Sequence, residues 1–256
     1  MRMLEGKKAL VLGVANQRSI AWGVASALSA HGARVRISCQ EERLKTKIER
    51  VQESRLIDKI HLCDVNDENS IKNMMQEIST DWGNLDILVH SIAYAPIACL
   101  EAPFHQVSKS DFNTTFEVSA YSLISTVRAA LPMLEISGGS VMTLSYLGGE
   151  RVLPGYGIMG PAKAALESCV RYLAYDLGSK KIRVNAISAG PLKTLASSAF
   201  GNFNQALKII EEKTPLHSNI SINDVGQLAA WLSTDGAKMI TGGTHYVDSG
   251  ANIMGG

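Results

Sequence analysis

The chain reads as one α/β domain, a doubly wound parallel sheet of about seven strands flanked by helices. Short apolar, β-branched runs alternate with longer amphipathic segments, the pattern of βαβ units building a parallel sheet. The 256 residues, 46% hydrophobic and 19% charged, suit a soluble protein with one substantial core. No repeat, low-complexity tract or long linker divides them, so residues 1–256 are treated as one unit.

Taken in order, the first strand is read at Lys8 to Leu12, an apolar run bounded by Lys7, Lys8 and Gly13. Ser19 is placed as the N-cap of a helix to His31, since its hydroxyl can accept from a first-turn amide. Strands follow at Arg34 to Ser38, Lys59 to Cys63, Leu85 to Ser91, Gly139 to Thr143, Arg183 to Ile187 and Thr244 to Val247. Helices fill the gaps at Glu41 to Glu53, Glu68 to Trp82, Ser110 to Leu134, Gly160 to Leu177, Phe203 to Glu212 and Ile222 to Ser233. Gly178 is read as the C-cap after Leu177, and Asn223 and Asp224 mark the last helix start. Two connections, Ala93 to Ser108 and Ser188 to Asn202, exceed what the sheet requires. Both follow strand C-termini, where open α/β sheets bind ligands.

Composition narrows the function classes. A formal net charge of +1 gives no electrostatic case for nucleic acid or an anionic membrane, and Lys180, Lys181 and Arg183 fit a solvated loop. Cys39, Cys63, Cys99 and Cys169 form no CxxC pair, which argues against a zinc site or a redox dithiol and fits a reducing cytoplasm. No run reaches the roughly 20 apolar residues of a membrane helix, and Ala9 to Leu12 is too short for a signal peptide core. The six histidines show no pairing that calls for a metal.

The turn GVANQRSIAWG after the first strand leads into a helix whose free N–H groups suit a pyrophosphate. It departs from G-x-G-x-x-G, because Val14 to Arg18 contain no glycine, and an ordinary strand-to-helix loop is the competing reading. Gln40, at the end of the second strand, can bond a ribose hydroxyl. Glu41 and Glu42 disfavour the extra phosphate of NADPH, with Arg43 acting the other way, so NADH is the expected cofactor. Asp64 and Val65 stand where a carboxylate and its neighbouring backbone can meet adenine, although Asp64 capping the helix starting near Asp67 is the reading the residues alone favour. Ser91-Ile92-Ala93 brings small side chains to the switch point of the sheet.

The chemistry rests on Tyr156 and Lys163, spaced Y-x-x-x-x-x-x-K, with Tyr146 nearby. A phenol can donate to a developing oxyanion, and Lys163 is the cation expected to lower its pKa. On a continuous helix residues seven apart lie roughly 10 Å apart along the axis, so a nicotinamide ribose is expected to stand between them. Gly155, Gly157, Gly160 and Pro161 place Tyr156 at or before the helix start.

The segments GVANQRSIAWG, HSIAYAP, SYLGGERVLPGYGIMGPAKAALE, VNAISAGPLKTLAS and GGTHYVDSGANIMG resemble bacterial NADH-dependent enoyl-acyl-carrier-protein reductases, the divergent branch of the Rossmann-type short-chain dehydrogenase/reductases. The resemblance runs essentially end to end. It implies Tyr156 and Tyr146 at the substrate carbonyl, Lys163 on the nicotinamide ribose and the backbone of Ala95 at the substrate. It also implies cofactor contacts from Gly13, Ser19, Ile20, Gln40, Asp64, Val65 and Ile92, and from Leu192, Lys193, Thr194, Leu195 and Ala196. The implied reaction reduces the C=C bond of trans-2-enoyl thioesters in fatty acid biosynthesis, on an enoyl-acyl carrier protein, in a homotetramer. Ala93 departs from the glycine of many relatives. A 3-oxoacyl or carbonyl reductase would carry Y-x-x-x-K, but the fourth residue after Tyr156 is Gly160. A non-catalytic NADH sensor could dispense with Tyr146, Tyr156 and Lys163. Residues 188–212 read as a substrate lid, on the apolar Leu195, Ala196, Ala199 and Phe200 among serines, and Thr244 to Gly256 as an oligomer contact.

Overall fold

The computed structural model describes residues 2–51, 56–192, 207–208 and 211–255. Seven parallel strands form one sheet in the order β3-β2-β1-β4-β5-β6-β7. They are β1 Lys8–Leu12, β2 Arg34–Cys39, β3 Lys59–Leu62, β4 Ile87–His90, β5 Gly139–Ser145, β6 Ile182–Ala189 and β7 Thr244–Val247. The order reverses between β1 and β4, which opens a crevice at their C-terminal ends.

Successive strand side chains point to opposite faces, so strands covered on both faces read as continuous apolar runs. In β1, Ala9 and Val11 join one core and Leu10 and Leu12 the other. The first core is roofed by α1 (Ile20–Ala30), and the second by α3 (Glu68–Trp82). α2 (Glu42–Val51) links β2 to the β3 edge. In the connection after β4, α4 (Ala98–Glu101) is a short turn of helix that the apolar pattern did not reveal. α5 (Lys109–Phe116) and α6 (Ser122–Leu134) are followed by α7 (Met159–Leu177), and α6 and α7 complete the second face. α8 (Ile222–Leu232) crosses α1 on the first face. A Cβ on Gly23 would stand 2.4 Å from the Ile222 carbonyl oxygen, so this crossing needs glycine.

Ser19 caps α1 by accepting from the Trp22 amide, as expected. Ser221 caps α8, with Asp224 closing a capping box. Three readings are corrected. The helix expected from Ser110 to Leu134 is interrupted by a π turn at Glu117–Tyr121. There Ser122 Oγ donates to the Val118 carbonyl at 2.6 Å, and Ser119 turns away to bond Tyr94. Gly178 follows α7 in a right-handed conformation and starts a 3-10 turn; the left-handed residue is Lys181, at φ 59°. Asp67, not Asp64, caps α3. Among the described residues no helix is long and apolar enough to cross a membrane. Most of the segment read as the lid and as the helix Phe203 to Glu212 lies outside the described residues, as do 52 and 53 at the end of the helix read from Glu41.

Candidate active site

The expected site residues among those described occupy one edge of the sheet, because each follows the C-terminal end of a parallel strand or starts the helix beyond it. Gly13 follows β1, Gln40 follows β2, Asp64 and Val65 come after β3, Ile92 after β4, Tyr146 after β5 and Leu192 after β6. Ser19 and Ile20 begin α1. Lys193, Thr194, Leu195 and Ala196 lie outside the described residues.

Gly13 is fixed by two constraints. Its φ is +86°, and a Cβ would lie 2.2 Å from the Ser91 carbonyl oxygen, so only glycine lets the first turn press against the end of β4. Ser19 Oγ donates to the Asn16 carbonyl at 2.6 Å, holding the turn that leads into α1. The Ile20 and Ala21 amides have no backbone acceptor among the described residues, as expected of a helix start. Gln40 is exposed. The Arg43 guanidinium donates to Glu41 at 3.0 Å and the Lys45 ammonium lies 3.5 Å from Glu42, so both nearby cations are already engaged by acids. Asp64 accepts from the backbone and side-chain amides of Asn66, which bends the chain after β3.

Tyr156 lies in the turn before α7, flanked by Gly155 and Gly157 at φ +78° and +47°. Tyr146 stands edge-on to it, with ring centroids 5.0 Å apart and planes at 65°. The Tyr156 ring also lies against Gly148, whose Cβ would come within 2.3 Å of it. Gly148→Ala is therefore expected to cost about 1–3 kcal/mol of stability through overpacking, read as a lower urea midpoint. Lys163, in the second turn of α7, is 5% exposed, and its Nζ donates to the Leu144 carbonyl at 2.7 Å.

Electrostatics revise one expectation. Burial, then the neighbouring Tyr146 and Glu167, push the Tyr156 phenol above its ordinary value, and burial does the same to Tyr146. Lys163 does not bring Tyr156 down, because the ammonium points to β5. Both phenols thus keep their protons at neutral pH and are able to donate hydrogen bonds. Burial lowers Lys163 to about 8, opposed by Glu167.

Three features escaped the sequence reading. Glu167 is buried and accepts from Ser145 Oγ; an acid four residues after the lysine in an apolar stretch was its only signal. His90 is fully buried, its ring nitrogens 2.7 Å from Ser122 Oγ and 3.1 Å from Thr143 Oγ1, and burial together with Lys163 lowers its pKa to about 3. Ser119, on the π turn, accepts from the Tyr94 amide at 2.9 Å and donates to the Tyr94 carbonyl at 3.0 Å. That clamp fixes the backbone between Ile92 and Ala95, two expected contacts. Ala93 is exposed beside it.

Comparison with known proteins matches residues 13–252 to a family described as enoyl-(acyl carrier protein) reductase. The chain is 43% identical over its full length, and 94% of the relative's, to an NADH enoyl-acyl-carrier-protein reductase of Aquifex aeolicus. It is 44% identical to one from a Nostoc species, covering 100% of both chains. A solved structure of the reductase from Anaplasma phagocytophilum in complex with NAD superimposes with a TM-score of 0.94 at 41% identity, covering 99% of this chain and 97% of that one.

Proposed function

Because the chain belongs to the enoyl-(acyl carrier protein) reductase family, we propose that Tyr156, Tyr146 and Lys163 carry its reaction. That reaction is the NADH-dependent reduction of the C=C bond of trans-2-enoyl thioesters, an oxidoreductase step of fatty acid biosynthesis. The carrying observation for the residue roles is the Tyr146–Tyr156 pair, 5.0 Å between centroids, on the same rim as the buried Lys163 ammonium.

The donors on this rim fit the cofactor. The start of α1 offers amides to a pyrophosphate. The Lys163 ammonium has three donors and, among the described residues, only Leu144 as an acceptor, which leaves N–H groups for ribose hydroxyls. When bound, NADH supplies the hydride that adds to the β-carbon of the enoyl group. Tyr156 then holds the negative charge that collects on the thioester oxygen, donating from a phenol that burial keeps protonated. Tyr146 packs its ring at a steep angle against that of Tyr156 and helps to hold the phenol in place. Protonation at the α-carbon completes the saturated chain. Gly13, Ser19, Ile20, Gln40, Asp64, Val65, Ile92 and the segment Leu192 to Ala196 are assigned to the cofactor, and the Ala95 backbone to the substrate.

The spacing also speaks against a carbonyl reductase arrangement. A Cβ on Gly160 would stand 2.9 Å from the Gly148 carbonyl oxygen, so the position four after Tyr156 has no room for a lysine. Preference for NADH has support in the Arg43–Glu41 pair. Glu41→Gln is expected to release Arg43 and raise the NADPH-to-NADH ratio of kcat/KM by about tenfold, the size of one charge-assisted hydrogen bond; steady-state kinetics with both cofactors check this.

The same proposal includes an acyl carrier protein bearing the substrate, a cytoplasmic setting and a homotetramer. Free cysteines at 39, 63, 99 and 169 support a reducing compartment. Tyr172 and Tyr175 on the outer face of α7, 72% and 86% exposed, and Ile253 near the C-terminus, 72% exposed, support contacts between copies. The test of function is loss of NADH absorbance with a crotonyl thioester beside an acetoacetyl thioester. Consumption with the enoyl substrate is expected, and consumption with the ketone alone would overturn the assignment.

A further inference from the structure

Glu167 lies one turn after Lys163 on α7, on the same face. Both side chains are withdrawn from water, at 6% and 5% exposure. Two cross-links tie this face to consecutive residues at the end of β5: Lys163 Nζ donates to the Leu144 carbonyl, and Ser145 Oγ donates to Glu167. The ammonium and the carboxylate are therefore anchored to adjacent residues of β5, close enough to interact through space without a direct ion pair. The turn after Tyr146 closes over them, since a Cβ on Gly149 would stand 3.2 Å from both Glu167 Oε1 and the Lys163 carbonyl carbon. An ammonium held this far from water gives up its proton unless an opposite charge stands near.

We infer that Glu167 is the counter-charge that keeps Lys163 protonated, a positioning residue that acts on the cofactor site through the lysine. The inference rests on the reading of Lys163 as a cofactor-binding group. The surrounding charges leave Glu167 alone in that role. Burial lowers Lys163 to about 8, and Glu167 is the acid that opposes the fall. His90, at the end of β4, faces Lys163 but is neutral. Tyr146 and Tyr156 on the rim keep their protons. Glu150, beyond β5, acts on Glu167 rather than on the lysine, and is itself bonded by Tyr246 of β7, near Asp248. Burial raises Glu167 above the usual carboxylate range, while the Ser145 hydrogen bond, Arg171 of α7 and Lys163 itself favour its ionised form.

Glu167→Gln keeps the volume and the acceptor for Ser145 and removes only the charge. The titration of Lys163 is read from its ε-carbon NMR signal, assigned with Lys163→Arg, and NADH affinity is followed against pH by fluorescence. The Lys163 midpoint is expected to fall by about one pH unit in Glu167→Gln, and the alkaline loss of NADH affinity to move with it. Glu167→Asp should return both toward the wild-type values. Ser145→Ala, which loosens the carboxylate without removing it, should lower the midpoint by less. A Lys163 midpoint unchanged in both Glu167→Gln and Ser145→Ala overturns the inference. A midpoint that falls while NADH affinity ignores it supports the counter-charge and removes the lysine from the cofactor site.

Discussion

Tyr156→Phe is expected to lower kcat on an enoyl thioester by about two to three orders of magnitude, the usual loss when one oxyanion donor is removed, with NADH affinity unchanged. The size follows from what the substitution leaves alone. The ring is held by Gly148 on one side and the Tyr146 edge on another, so phenylalanine keeps the packing and loses only the donor. Because burial, Tyr146 and Glu167 raise the Tyr156 pKa, the phenol does not ionise across the pH range of an ordinary assay. The pH–rate profile should show no limb belonging to this residue. Stopped-flow measurement of a single turnover separates the loss in chemistry from any loss in binding.

Lys163→Met should separate binding from stability. Loss of a charged donor is worth about 1.5–3 kcal/mol, so the Kd of NADH should rise about 10- to 100-fold. In the free protein the relief from burying an ammonium is offset by leaving the Glu167 carboxylate without its counter-charge and the Leu144 carbonyl without its donor, so stability should not rise. The sign in pH follows from the lysine's position. Its folded value is lowered from 10.5 to about 8, so the unfolded chain binds the extra proton between these values. The penalty is present in full below about 8 and fades as pH rises from about 8 toward 10.5. Wild-type NADH affinity should fall as pH rises through about 8, while Lys163→Met shows no such limb. Fluorescence titration of NADH and urea unfolding from pH 6 to 10 read both effects.

The central strands were legible because they are covered on both faces and leave apolar runs, as in Ala9 to Leu12, whereas the edge strands β3 and β7 are only partly covered and mix polar residues with β-branched and aromatic ones. Edges moved by one or two residues, since pairing partners decide them: β5 and β6 pair out to Ser145 and Ser188, beyond the runs read as strands. The π turn stayed hidden because Glu117 to Tyr121 carries no breaker. It coincides with the bond from Ser119 to Tyr94, 25 residues away in sequence, which no local pattern marks. Gly178 misled for a related reason, as the 3-10 turn after α7 moved the left-handed position to Lys181.

At the site, the glycines around Tyr156 correctly placed it outside the helix, and the seven-residue spacing kept it from pairing directly with Lys163. The direction of the lysine was not legible, because its acceptor is a backbone carbonyl of β5 that no side-chain pattern marks. For the same reason the expected lowering of the Tyr156 pKa gave way to burial. Glu167 became visible only once Ser145 was seen to hold it.

Hydride reaches the β-carbon of the enoyl thioester while Tyr156 holds the oxygen. Turnover of a crotonyl thioester with NADH carrying deuterium at the transferable C4 position of nicotinamide tests it most directly, by NMR of the butyryl product. Deuterium at the β-carbon, with the α-hydrogen drawn from solvent, is the predicted result. Deuterium at the α-carbon, or transfer only to the carbonyl carbon of an acetoacetyl thioester, would contradict it.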